Sequence, residues 1–295
     1  MGAPGEWNMN FQTLPSLDMT DFRKLGNYIH AEFGIKMPDA KRGMVESRLR
    51  KRLIALNISS YDEYCAYLFS PRGQKDELSF FINQITTNKT DFFREGAQFV
   101  FLEKKVLPEL LSSVPTGGTK KLSVWSAACS RGHEPYTLAM VLSEYAQQHK
   151  NIDFSILGTD ISTGVLKVAQ KAVYAHDEIE PVPMMLRKKY LLRSKDRSKN
   201  MVRIVPQLRS RVRLLRLNLM NKYYTAIEQM DIIFCRNVMI YFERETQNQI
   251  MHKLLNHLKP GGYLFMGHSE VIQYAQFPLK SIQSTIYQKV GNGKG

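Results

Sequence analysis

Residues 122–134, LSVWSAACSRGHE, decide the fold of this chain. The stretch begins as an apolar run of strand length, turns at Gly132 and continues from Glu134 as a helical pattern. A second apolar run at 154–159 and a second helical pattern at 162–171 follow it directly. This alternation predicts a parallel α/β sheet, in which each strand leads into a helix that covers the sheet.

The rest of the chain extends this sheet and places a helical region before it. Further strands are predicted at 202–205, 212–217, 231–235, 263–266 and 284–290, with a further helix at 243–258. Upstream, the helical spacing of apolar residues predicts a small helical bundle. We therefore divide the chain into a flexible N-terminus (1–17), a helical N-terminal domain (18–90) and an α/β domain (91–295) with a basic β insert at about 187–216.

Composition limits the class of protein and its compartment. The chain has 295 residues, of which 43% are hydrophobic, and this suits globular domains rather than a disordered chain. We expect no transmembrane segment, because no apolar run reaches about 18 residues, and no secretory signal in residues 1–10. Cys65, Cys129 and Cys235 are far apart, which indicates buried thiols, no metal site and a reducing cytoplasm.

The charge of the chain indicates an acidic partner. The formal net charge is +14, and between Arg187 and Arg216 twelve Lys or Arg residues are opposed by Asp196 alone. A second basic run at 41–52 holds six basic residues against Glu46. Such an excess favours binding to nucleic acid, anionic lipid or an acidic protein surface.

The ends of the first two strands indicate a cofactor that contains adenosine. Gly132 lets the backbone approach a ligand at the carboxyl end of the first strand. Asp160 ends the second strand, where a carboxylate can accept hydrogen bonds from both ribose hydroxyls. The turn lacks the three glycines of a pyrophosphate site, and Glu134 would repel phosphate but would pair with the ammonium group of a methionine moiety. These residues favour S-adenosylmethionine over NAD.

Four segments give the chain a specific resemblance. They are TTNKTDFFRE (86–95), GHEPY (132–136), CRNVMIYF (235–242) and GHSE (267–270). In sequence and order they resemble the CheR family, the chemotaxis protein-glutamate methyltransferases. The resemblance implies a class I S-adenosylmethionine-dependent methyltransferase domain, Rossmann-like with a small antiparallel β insert, preceded by an all-α domain. It also implies methylation of glutamate side chains on methyl-accepting chemotaxis receptors.

The resemblance also implies site residues. Cofactor contacts fall on Asn88, Thr90, Arg94, Glu134, Asp160, Asn218, Leu219, Arg236 and Asn237. The substrate glutamate is already ionised at neutral pH, so its methylation needs alignment by a cation rather than a general base. Arg94 and Arg236 are the catalytic candidates, with Asn237 and Tyr241 shaping the site, and the sequence leaves open which arginine faces the substrate.

The implied partner is the acidic cytoplasmic helical region of chemoreceptors, bound by a monomer that does not insert into a membrane. In the family the second helix is implicated in contacting this region. The predicted docking residues on it are Arg42, Arg48, Arg50, Lys51 and Arg52.

Two departures from the family pattern stand out. His133 replaces an acidic residue beside the retained Glu134. In the insert, residues 193–200 lack the glycines of receptor-tethered members, so we expect a tight turn and binding of a receptor's C-terminal peptide by strand addition to be disfavoured.

Two other functions compete with receptor methylation. The basic insert suggests a nucleic-acid methyltransferase, but Arg236-Asn237-Val238-Met239 lacks the prolines of amino-group methylases, and no aromatics interleave with the basic cluster. The other alternative is an inactive regulator that senses the cofactor. Retention of Glu134 and Asp160 argues for cofactor binding in that case as well.

Overall fold

The chain forms two compact units. The computed structural model describes residues 15–112, 115, 118–149, 151–270 and 272–291. The units are Met1–Thr86 and Thr87–Gly295. No helix in the described part of the chain is long and apolar enough to cross a membrane.

The borders of the units differ slightly from the sequence prediction. The predicted boundary follows residue 90, but Asn88 belongs to the second unit, where its carbonyl accepts a hydrogen bond from Ser130 Oγ at 3.1 Å. Of the predicted flexible N-terminus, residues 1–14 lie outside the described residues. Leu17 is fully buried, and its backbone N–H donates to Glu46, so the ordered unit begins before residue 18.

The first unit is the predicted helical bundle. Its helices are α1 (Met19–Phe33), α2 (Arg42–Leu56), α3 (Tyr61–Phe69), α4 (Pro71–Asp76) and α5 (Leu78–Ile85). Asp18, Ser60 and Ser70 cap α1, α3 and α4 by accepting backbone N–H bonds, which stabilises the helix starts. The apolar positions of the predicted periodicity form the core, and Leu25, Leu49 and Phe81 are fully buried there.

A buried ion pair lies within this helical unit. Glu77, which is 1% exposed, accepts a hydrogen bond from Arg52 Nε at 2.9 Å. It also accepts one from the Tyr64 hydroxyl at 3.0 Å. The pair therefore ties α2 and α3 to the start of α5.

The second unit confirms the predicted α/β fold. Its helices are α6 (Ala97–Phe101), α7 (Leu107–Ser112), α8 (His133–Gln148), α9 (Thr163–Lys171), α10 (Met184–Tyr190), α11 (Pro206–Arg209) and α12 (Arg244–Asn256), with a π-helical turn at Leu102–Val106. Its strands are β1 (Lys120–Ala127), β2 (Ile152–Asp160), β3 (Val173–Ala175), β4 (Leu191–Arg193), β5 (Met201–Ile204), β6 (Val212–Arg216), β7 (Met230–Cys235), β8 (Leu258–Met266), β9 (Leu279–Gln283) and β10 (Ile286–Lys289).

The main sheet has seven strands in the order β6-β2-β1-β7-β8-β10-β9. The first five strands in this order are parallel to one another. Strand β10 pairs antiparallel with both of its neighbours, β8 and β9. All six residues of β7 are buried, as expected for a central strand covered on both faces. Phe234 stacks between Phe99 and Phe265, with ring centroids 5.8 Å and 4.3 Å apart. Aromatic packing therefore connects α6, β7 and β8 next to the carboxyl edge of the sheet.

The insert is a separate three-stranded antiparallel sheet, β3-β5-β4. It differs from the predicted range of about 187–216, because it begins at Val173 while Val212–Arg216 pairs with β2 in the main sheet. The missing glycines do not prevent its turn. Asn200 takes the left-handed conformation (φ 37°), and Asp196 accepts a bond from the Ser198 N–H, so asparagine and aspartate supply the turn geometry.

The Arg52–Glu77 pair gives a stability prediction. Changing Arg52 to Ala leaves a buried carboxylate without its cation, and we expect this to lower the free energy of unfolding of the helical unit by about 3–5 kcal/mol. The matched control is Lys51→Ala on the exposed side of the same helix, which should change it by less than about 0.5 kcal/mol. Urea unfolding followed by circular dichroism measures both. Equal effects of the two substitutions would contradict the prediction.

Candidate active site

The site lies at the carboxyl edge of the main sheet. Ala127, the last residue of β1, is in register with Thr159 of β2 and with Cys235 of β7. The turns that follow these three strands therefore meet, and they carry Glu134, Asp160 and Arg236. Ligands of open parallel sheets bind at this edge, where the strand order reverses.

The turn after β1 is held in an unusual backbone conformation. Ala128, Ser130 and Gly132 have positive φ values of 58°, 49° and 92°. At Gly132 an added Cβ would lie 2.8 Å from the Cβ of Ala169, so only glycine fits this turn against α9. Non-glycine residues in the left-handed region cost free energy and concentrate at functional sites.

Asp160 joins the turns after β1 and β2. Its Oδ2 accepts the Ser130 N–H at 2.8 Å and its Oδ1 accepts the Ser162 N–H at 2.9 Å. Burial raises the pKa of this carboxyl, and the backbone donors oppose that rise. An ionised carboxylate offers about four acceptor positions, so the backbone donors of Ser130, Ile161 and Ser162 leave capacity for a hydroxyl group of a ligand.

Glu134 is held in place by two side chains of the central strands. Its Oε1 accepts from Ser126 Oγ at 2.7 Å, and its Oε2 accepts from Arg236 Nε at 2.6 Å. The Glu134 side chain is 12% exposed, whereas that of Arg236 is 3% exposed. The carboxylate therefore presents a fixed negative charge at the edge of the sheet, while the arginine lies behind it.

Arg236 has further partners besides Glu134. Its Nη1 donates to the Arg94 carbonyl at 2.8 Å, to Gln98 Oε1 at 3.1 Å and to Glu95 Oε2 at 3.3 Å. These bonds of Nε and Nη1 favour a positioning role for the guanidinium beside Glu134. The predicted contact of Arg236 with the substrate or the cofactor stays a prediction.

Asn237 belongs to the same hydrogen-bond network. It adopts φ 58°, its Nδ2 donates to Glu95 Oε1 at 3.2 Å, and its N–H donates to Glu270. Glu270 also accepts the N–H groups of Val238, Met239 and Gly267 at 2.7 Å each. Burial raises the pKa of the Glu270 carboxyl, and these amides oppose that rise.

Three residues of this network are not among the site residues predicted from the sequence. Glu95 and Glu270 lie within the quoted motifs, but nothing there showed that they bind backbone and arginine groups. Gln98 is 2% exposed and joins Arg236 to the Met266 carbonyl at 2.8 Å. No sequence signal marked it, because its partners are 138 and 168 residues away.

The remaining predicted cofactor residues lie in the same unit. Asn218 Oδ1 accepts the Met220 N–H at 2.9 Å, which forms the turn after β6, and Leu219 is buried beside it. Arg94 and Thr90 are half-buried in the segment that leads to α6. The Arg94 Nη1 donates to the Lys89 carbonyl at 3.4 Å, and no described carboxylate pairs with it. Tyr241 is half-buried at the end of a short 3₁₀ turn after β7.

His133 lies fully buried at the start of α8. Its ring is 4.6 Å from that of Phe92 and 4.8 Å from that of Tyr174, centroid to centroid. Its Nε2 is 3.3 Å from Glu178 Oε2, but without the geometry of a hydrogen bond. Burial lowers the pKa of His133 to about 4, although Glu178 opposes the shift. The imidazole is therefore neutral at physiological pH.

Four of the five predicted docking residues are bound inside the helical unit. Their partners are the Leu17 carbonyl for Arg42, the carbonyls of Gln84, Ile85 and Thr86 for Arg48, Glu46 for Arg50, and Glu77 for Arg52. The bonds of Arg48 and Arg52 connect α2 to the end and the start of α5, and carbonyls at a helix end lack partners within the helix. Of the five, Lys51 is exposed and the four arginines are half-buried, and the docking role of all five stays a prediction.

The donors and acceptors at the edge fit S-adenosylmethionine. Glu134, in the first turn of α8, suits an ammonium group, and Asp160, the last residue of β2, suits ribose hydroxyls. The cation in the first turn, Arg131, pairs with Glu178 at 2.7 Å, so it is not available to a phosphate. The fold and this site define a methyltransferase that uses S-adenosylmethionine.

Comparison with known proteins identifies the family. Residues 88–288 match the model "CheR methyltransferase, SAM binding domain", and residues 20–86 match "CheR methyltransferase, all-alpha domain". A chemotaxis protein methyltransferase of Borreliella burgdorferi is 35% identical, covering 96% of this chain and 98% of that protein. One of Escherichia coli is 34% identical over 96% of each chain. The chain belongs to the CheR family, and it is a chemotaxis protein methyltransferase, as the sequence motifs predict.

The Glu134–Arg236 pair gives a prediction for cofactor binding. Arg236→Ala leaves Glu134 without the donor that fixes it, so we expect affinity for S-adenosylhomocysteine to fall about tenfold or more. Arg236→Lys keeps the charge and should restore part of the affinity. Titration calorimetry measures both. Unchanged affinity in a folded Arg236→Ala protein that no longer transfers methyl groups would instead show that the arginine acts on the substrate.

His133 gives a prediction for pH. Its pKa in the folded state lies below the unfolded value of about 6.5, so the unfolded state binds the proton more readily and acid destabilises the fold. Between pH 7.5 and pH 5 the wild type should lose about 2 kcal/mol more stability than His133→Gln. Urea unfolding of the second unit at both pH values measures the difference. A loss of equal size in both proteins would refute it.

Proposed function

We propose that this enzyme methylates glutamate side chains on the cytoplasmic helical region of chemoreceptors, acting in the cytoplasm. The observation that carries the proposal is the state of the carboxylates at the site. Glu134, Asp160, Glu95 and Glu270 each accept two or more hydrogen bonds from the protein. None of these four enzyme carboxylates is placed as a general base. The proposed substrate needs no general base, because an ionised glutamate carboxylate is already a nucleophile.

Arg94 is the residue proposed to hold the substrate. It has no described carboxylate partner, and its side chain is half-buried near the turn that Arg236 and Glu134 support. A guanidinium can bind one oxygen of a carboxylate and leave the other free to react. We therefore propose Arg94 for alignment of the substrate carboxylate.

The residues of the site divide the remaining tasks. Glu134 would bind the ammonium group of the cofactor, Asp160 its ribose, and Asn218 with Leu219 its adenine. Asn88 fixes the turn after β1 through Ser130. Bound S-adenosylmethionine supplies a methyl group on a positively charged sulfur. Thr90, Asn237 and Tyr241 shape the space in which the carboxylate oxygen and this methyl group align, and such alignment contributes several kcal/mol to a rate.

The acidic receptor surface suits the charge of this chain. The net charge of +14 attracts acidic partners over distances of about one Debye length, 8–10 Å at physiological salt. Lys51 is the predicted docking residue on α2 whose side chain is exposed. The proposal needs no second copy of the chain, since the named site residues lie in one unit.

The test of this function is the chemistry of the product. We expect tritiated S-adenosylmethionine to label a receptor cytoplasmic fragment, and mild alkali to release the label as volatile methanol, because methyl esters are hydrolysed and methylated amines are not. A fragment with its acceptor glutamates changed to alanine is the control. Label that resists alkali, or that enters nucleic acid instead, would overturn the proposal.

In the same assay Arg94→Ala should lower kcat/KM by about 10- to 100-fold, because a charge-assisted hydrogen bond to the substrate is lost. Arg94→Lys should retain more activity than Arg94→Ala. The matched control is Arg244→Ala at the exposed start of α12. A loss of equal size in Arg94→Ala and Arg244→Ala would exclude the alignment role.

A further inference from the structure

A cleft of about 550 Å³ lies in the second unit, away from the residues assigned to the cofactor. It is formed by α9, α11 and β6, with Tyr136 of α8 at its side. Leu166, Val212 and Leu214 give it an apolar wall, and Lys167 and Arg209 give it two cations. Its size is that of sites for small organic ligands, which are about 300–1,000 Å³.

The charge around this cleft is entirely positive. Its lining contains Lys167 and Arg209 and no acidic residue. The two chain segments that supply most of the lining, 161–176 and 197–227, contain no aspartate or glutamate. The nearby Arg211 is already paired, because it binds Asp153. The cleft therefore offers cations whose charge is not balanced within its own walls.

The guanidinium of Arg209 has a hydrogen-bond donor that the described part of the protein does not satisfy. Its Nε is buried and has no hydrogen-bond partner among the described residues. A buried donor left without an acceptor is unfavourable by about 1–3 kcal/mol, and more when it is charged, so such atoms in native structures call for an acceptor. An anion in the cleft, which Arg209 lines, would place a negative charge beside this guanidinium.

We propose that this cleft binds a small phosphorylated ligand that carries an aromatic ring, such as a nucleoside phosphate. A guanidinium binds phosphate oxygens in pairs, and a lysine adds a point charge. Two unbalanced cations match a phosphate ester, whose charge is about −1.5 to −2 at pH 7, better than a single carboxylate. The ring would lie against Leu166 and Leu214, with Thr163 and Ser210 as polar partners at the side.

The cleft is distinct from the cofactor site but shares a helix with it. The inner face of α9 carries Ala169, which packs against Gly132 of the cofactor turn. The cleft residues Thr163, Leu166 and Lys167 are on the same helix. The Tyr136 hydroxyl also donates to the Ala169 carbonyl at 2.8 Å. Because the cleft and the cofactor turn contact different residues of α9, we expect a ligand to bind in the cleft while the cofactor site is filled.

Titration calorimetry on the full chain saturated with S-adenosylhomocysteine tests the site. The probes are guanosine 5′-monophosphate and phenyl phosphate, whose rings differ from the cofactor's adenine, with guanosine and inorganic phosphate as half-ligands. We expect a probe that joins phosphate and ring to bind more tightly than either half. Failure of both ring phosphates to bind the saturated enzyme would overturn the proposal.

Substitutions inside and outside the cleft lining test whether the probe binds in this cleft. Arg209→Gln and Lys167→Gln should each weaken probe binding, the former by about 10- to 100-fold, because a charge-assisted bond to phosphate is lost. Lys171→Gln removes the same charge from the exposed end of α9 outside the lining and should leave the affinity unchanged. All three proteins should bind S-adenosylhomocysteine as the wild type does. If Lys171→Gln weakened probe binding as much as the substitutions in the lining, the effect would come from the overall positive charge of the protein. That result would refute the site.

Discussion

The buried contact between Glu134 and Arg236 is the interaction on which the rest of the site depends. It joins the start of α8 to the end of β7, at 2.6 Å, with the arginine side chain almost wholly enclosed. Removing a guanidinium from water is strongly unfavourable unless every donor finds an acceptor. Glu134 accepts from Nε, and Glu95, Gln98 and the Arg94 carbonyl accept from Nη1. The segment before α6 is therefore fixed to the sheet edge by the same arginine that binds Glu134.

Glu270 performs a comparable task at the neighbouring strand ends. One carboxylate accepts four backbone amides, three from the turn after β7 and one from the turn after β8. The backbone there includes Asn237 at positive φ, which is unfavourable for a residue with a side chain. The amide bonds offset that strain. Together, Arg236 and Glu270 show that polar residues of the motifs bind one another and the backbone at this edge.

The positive charge of the chain lies in three regions. On α2 four arginines bind carbonyls and carboxylates of the helical unit. In the basic segment 187–216 the cations are spread over α10, the small antiparallel sheet and its turn, α11 and β6. Around the cleft of α9, α11 and β6 they remain without acidic neighbours in the lining. Net charge therefore predicts attraction to acidic partners but not which cations are available to them.

The sequence by itself determined the fold and the family. Local patterns suffice for this, because apolar periodicity fixes helices and strands, and the turn around Gly132 with Asp160 after the next strand marks the ligand edge. The tertiary structure decided which side chains face that edge. Arg236, Gln98 and Glu270 meet partners that are distant in the chain, and no local pattern encodes such contacts. Whether an arginine is a buried support or a substrate ligand depends on the desolvation and pairing that only the folded chain provides.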